Sequence, residues 1–120
     1  DRHHQRCVDL LEAEPGPLVT TAMVITECAY LIERELGPAV EATLYQAILD
    51  QALHIEDLTA RDWTRVQELV TVYADLPVGG TDASVIAIAE RLDQTRVATL
   101  DQRHFTIVRP AHCPAFELIP

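Results

Sequence analysis

Short apolar, β-branched runs alternate with helical patterns along most of this chain, and that alternation leaves few folds open. Leu18-Val19-Thr20, Leu53-His54-Ile55-Glu56, Arg96-Val97-Ala98-Thr99-Leu100 and Phe116 to Ile119 read as strands. Between them lie helical stretches. Thr21 caps a helix from Ala22 to Glu35, which Gly37-Pro38 ends, and another runs from about Ala39 to Gln51. Thr59 caps a third, with Trp63, Val66, Leu69, Val70 and Tyr73 on one stripe. A fourth runs from Thr81 to Leu92, and the segment after Asp101 reads as a loop of mixed character. The opening residues are also helical in pattern, with Cys7, Val8, Leu10 and Leu11 aligned before Glu14-Pro15-Gly16-Pro17 stops them. The expected class is α/β, with a mostly parallel sheet, helices on both faces, and one domain over residues 1–120.

Composition narrows the function classes. The chain has 120 residues, 48% of them hydrophobic and 23% charged, the balance of a globular domain with a real core. No apolar run approaches the ~20 residues needed to span a bilayer, so no membrane role is expected. No charged-then-apolar leader opens the sequence as given, and a cytoplasmic location is expected. Cys7, Cys28 and Cys113 form no CxxC pair and read as reduced thiols rather than a bridge or a zinc knuckle. The net charge is −10, with nine arginines, no lysine and nineteen acids. A simple nucleic-acid coater would be basic. Such acidity serves solubility, attraction to a basic partner, or capture of divalent cations.

Three acids stand where ligands of an α/β sheet collect, or where an apolar side chain is expected. Asp101 follows the strand ending at Leu100, and ligands bind outside the carboxyl ends of such strands; an Asx turn explains it equally. Asp82 follows Gly79-Gly80-Thr81 in the first turn of a helix, where the helix dipole favours an acid. Glu27 sits among Val24, Ile25, Cys28, Leu31 and Ile32, where burial would demand a partner: Arg34, Arg91, a network or a cation. Three carboxylates from three elements suit a hard cation such as Mg²⁺ or Mn²⁺. The histidines fit less well as ligands: His3, His4, His104 and His112 read as solvated. Glu33-Glu35 and Glu56-Asp57 read as solvated faces. Ser84 is the only serine and lacks a nucleophile-elbow setting, and no P-loop or GxGxxG occurs.

The run Gly79-Gly80-Thr81-Asp82-Ala83-Ser84-Val85-Ile86-Ala87-Ile88-Ala89-Glu90, followed by Ala98-Thr99-Leu100-Asp101-Gln102-Arg103-His104-Phe105, resembles the C-terminal half of PIN-domain proteins. Ile25-Thr26-Glu27-Cys28-Ala29-Tyr30 is similar to that family's helix with an internal Glu, and the nearest resemblance is to VapC-type toxins, the ribonucleases of toxin–antitoxin pairs. The resemblance implies a three-layer α/β/α fold and RNA cleavage with Mg²⁺ or Mn²⁺ held by four acids. Glu27, Asp82 and Asp101 correspond to three of these. The family's first acid ends an opening strand, in an Asp-Thr/Ser segment that nothing before Asp1 matches. A natural protein extending roughly 15–20 residues upstream, one strand and one loop, is therefore expected.

Thr81 and Ser84 are further candidates, to orient waters beside Asp82, and Arg103 is one to contact a phosphate. The resemblance also implies an antitoxin partner and a homodimer. Two rival readings keep the fold and change the chemistry. One is a non-catalytic PIN-like module that binds a basic antitoxin peptide; the other is a phosphatase-like hydrolase, since acids at sheet ends serve several phosphoryl chemistries.

Overall fold

The computed structural model describes Ala13, Gly16, residues 18–99 and residues 102–119. The expected opening helix, Cys7 and Asp101 lie outside the described residues. Two parallel strand pairs form the sheet structure. In the first, β1 (Leu18–Thr20) runs beside β2 (Leu53–Ile55), with Leu18 opposite Leu53 and Thr20 opposite Ile55. In the second, β3 (Arg96–Ala98) runs beside β4 (Glu117–Ile119), with Val97 opposite Leu118. The parallel pairing expected from the alternation is present, and among the described residues it takes the form of two separate pairs. The reason is local: β1 and β3 both border a single cleft, and no described strand lies between them.

Parallel neighbours require crossovers, and helices supply them. Between β1 and β2 run α1 (Ala22–Leu36) and α2 (Pro38–Leu49). Thr21 caps α1 by accepting a hydrogen bond from the Val24 amide, as expected. Gly37 ends α1 and begins α2 at φ +87°, a left-handed conformation that a side chain would resist, while Pro38 takes the first helical position. After β2 comes α3 (Ala60–Val72), whose start is a reciprocal capping box. The Asp62 amide donates to the Thr59 hydroxyl, and the Thr59 amide donates to the Asp62 carboxylate. Then comes α4 (Gly80–Arg91). The segment expected to be a plain loop after β3 contains a short helix, α5 (Arg103–Ile107).

The core lies on one side of this arrangement. Val66 and Leu69 of α3 meet Ala83, Ile86, Ala87 and Ala89 of α4, with Val97, Phe105, Val108 and Phe116 closing the cluster. Small alanines let α4 lie close to α3 along its length. Burying Leu69 alone, 1% exposed, contributes on the order of 2 kcal/mol. The stripe expected on α3 is rotated, however: Val66 and Leu69 are buried, but Trp63 is 50% and Val70 39% exposed. Asp62 takes a core-facing place instead. It is 4% exposed and tolerated there because Arg91 Nε donates to its Oδ2 at 2.9 Å.

Neither α1 nor α2 buries a single residue. Tyr30, Leu31, Leu36, Val40, Tyr45 and Leu49 are all exposed along them.

Candidate active site

The cleft between the strand pairs has a volume of about 500 Å³. Leu18 to Thr20 of β1 and Arg96 to Thr99, along and just past β3, line it, so the cleft runs along both strands and takes in their carboxyl ends. Glu27 and Asp82 also line it, from α1 and α4. The structure therefore brings together two of the three acids singled out in the sequence. Asp101, the third, lies outside the described residues.

Glu27 does not sit as a buried lone carboxylate. It is exposed, because α1 packs too thinly to bury any of its residues. Neither arginine weighed as its partner serves: Arg34 pairs with Glu35, and Arg91 binds Glu56, Asp62 and the Asp57 carbonyl. Burial, and then the adjacent Glu27 charge, push the Cys28 thiol up.

Asp82 occupies the third position of α4, after the Gly79 cap, where the helix N-terminus favours its negative charge. Its Oδ2 lies 2.8 Å from Nδ1 of His104. An ionised carboxylate only accepts, so Nδ1 carries the proton. His104 was expected to be solvated; its side chain is 22% exposed and engaged with this acid. The signal was the neighbouring Phe105, an apolar anchor that a free loop would not need. His112 also departs from expectation: its Nε2 lies 2.6 Å from the Gln94 carbonyl, and its ring packs on Phe116.

Two hydroxyls lock the acid-bearing helices together. Thr21 and Ser84 are fully buried, with their oxygens 2.9 Å apart. The direction follows by elimination. Ser84 donates to the Thr81 carbonyl at 2.7 Å, so Thr21 must donate to Ser84 while accepting from Val24. Ser84 is thus committed to the frame through both bonds. Gly80 completes the joint, since a Cβ there would meet the Met23 side chain at 3.1 Å. Glu56, expected to be solvated, forms part of a second clamp through Arg91, which also donates to the Asp57 carbonyl, while Asp57 stays exposed as expected.

The donor set suits a hard cation. Glu27 and Asp82 both line one cleft, and Mg²⁺ commonly binds through one or two carboxylates while keeping several waters. Among the described residues no three His, Cys, Asp or Glu side chains cluster as a metal site.

The frame is α/β, with acids from two helices on one cleft that runs along the strands. Residues 1–109 match the PIN domain, and the chain belongs to the PIN-domain family. It is 26% identical over 117 residues to "Ribonuclease VapC26" of Mycobacterium tuberculosis, a match covering 98% of this chain and 87% of that protein. Its fold is similar to the crystal structure of Mycobacterium tuberculosis VapC20, titled a sarcin-ricin loop cleaving toxin. That likeness has a TM-score of 0.72 at 19% identity, over 80% of this chain and 74% of the other. The α/β fold expected from the sequence is thereby established.

Proposed function

We propose that this single-domain chain is a divalent-metal-dependent endoribonuclease, the VapC-type toxin of a cytoplasmic toxin–antitoxin pair. The observation that carries the reading is the convergence of Glu27 and Asp82 on one cleft, in a chain matching the PIN domain over residues 1–109. Glu27 and Asp82 would hold Mg²⁺ or Mn²⁺, with Asp101 as the further acid. When bound, the cation offsets the charge that builds on a phosphodiester under attack by water. The residues themselves fix geometry. The Thr21–Ser84 joint sets the separation of the two acids, and Asp82 stands in the first turn of α4. RNA is the substrate, a basic antitoxin segment the inhibitor, and a homodimer the working form.

The test is cleavage of a structured RNA with Mn²⁺ and with chelator. Cleavage is expected only with metal and drops at least about 100-fold in Asp82→Asn and in Glu27→Gln. Full cleavage by both variants at saturating metal would end the reading.

The acidic cleft favours one alternative, a non-catalytic module that captures a basic antitoxin peptide. Tight, salt-sensitive peptide binding without metal-dependent turnover distinguishes it.

A further inference from the structure

We propose that His104 is a positioning residue. It holds the Asp82 carboxylate through a hydrogen bond from Nδ1 to Oδ2 and so presents the other oxygen, Oδ1, to a divalent cation. This rests on the metal-dependent reading of the same cleft. Two observations support it independently of that reading.

The first is the contact itself. At 2.8 Å it is a short, well-formed hydrogen bond between two side chains 22 residues apart in sequence. It engages one oxygen of the Asp82 carboxylate, Oδ2. A carboxylate alone at a helix terminus rotates about its side-chain torsions; one oxygen tied by a ring N–H fixes the plane of the other. Groups standing behind a metal-binding carboxylate tune affinity in this way, typically by 10–100-fold.

The second is how His104 is held. Its neighbour Phe105 is 4% exposed and packs edge-on against Phe116, with ring centroids 6.3 Å apart and planes at 70°. Val108, fully buried, anchors the far end of α5, and its amide donates to the His104 carbonyl. The imidazole therefore projects from a backbone that the core has fixed. A ring on a free loop would lose more rotamer entropy on making the same bond.

The experiment compares Mn²⁺ binding to wild type, His104→Ala, His104→Asn and Asp82→Asn by titration calorimetry, with melting temperatures measured alongside. Asparagine keeps an N–H donor at nearly the position of Nδ1. The expected result is about 10-fold weaker Mn²⁺ binding in His104→Ala, recovered to within about threefold in His104→Asn, with melting unchanged in both. Equal Mn²⁺ affinity in wild type and His104→Ala overturns the positioning role while leaving the metal site standing. Equal loss in the alanine and asparagine variants also overturns it, since the donor is then irrelevant. Wild type that binds no Mn²⁺, or binds it independently of Asp82, overturns the metal reading and this proposal together.

Discussion

The two halves of this molecule are built to different standards. Around α3, α4 and α5 the packing is that of a protein interior, with Leu69, Ile86 and Val108 at or below 1% exposure. Across the cleft, α1 and α2 bury nothing, and Leu49 is 74% exposed. Each half contributes one acid to the cleft. Asp82 belongs to the packed half and Glu27 to the open one. A site shared in this way needs joints, and the structure has two: the Thr21–Ser84 hydroxyl pair beside the acids, and Arg91 at the other end of α4, which grips Glu56, Asp57 and Asp62. The lesson is that Asp82 is held through core packing, while Glu27 is tied to it through polar joints.

That separation is breakable. Leu69→Ala should cost about 3 kcal/mol in chemical denaturation, within the range for a leucine truncated in a packed core. Leu49→Ala, at the exposed end of α2, should cost less than about 0.5 kcal/mol in the same assay. Equal losses would erase the distinction between the halves. Asp62→Ala should come next, at roughly 2–3 kcal/mol, because it removes the capping box and leaves Arg91 without its best partner.

Ser84→Ala should cost about 1–2 kcal/mol by leaving the buried Thr21 hydroxyl without an acceptor. It should also weaken RNA cleavage by more than that stability loss explains, since it loosens the spacing of the two acids. Cleavage unaffected in folded Ser84→Ala protein would show that the joint does not set the site.

The smallest effect is acid sensitivity at the second joint. Hydrogen bonding from Arg91, then from His54, holds the Glu56 carboxyl below its usual value of 4.5. A carboxyl with a depressed folded pKa stabilises the protein above its unfolded pKa, and that contribution fades as pH falls through the folded value. Denaturation midpoints followed downward from pH 5 should therefore fall less steeply in Glu56→Gln than in wild type.

Much of this fold was legible because local rules and tertiary structure agree. Thr21 and Thr59 cap the helices that their positions announce, and Gly37-Pro38 divides α1 from α2. The candidate acids were legible for the opposite reason, as residues in places that a solvated face or an apolar core does not explain. What could not be read is what depends on pairs distant in sequence. Nothing local links Arg91 to Glu56 and Asp62, 35 and 29 residues away, so Glu56 resembled an ordinary solvated acid. The same holds for His104 and Asp82. Trp63 misled for a related reason: helical spacing fixes which residues share a face, while an ion pair elsewhere decides which face turns inward.

His104 and Phe105 are adjacent, one facing the acid and the other facing the core. This gives the protein a lever with a single short arm. A change at Phe116 or Val108 that merely softens the interior swings α5, and with it the imidazole, without touching any residue of the cleft. Sequence drift in the core will therefore be felt as drift in chemistry. Variants selected for tighter packing around Phe105 should sharpen the site even though none of their changes lies within it.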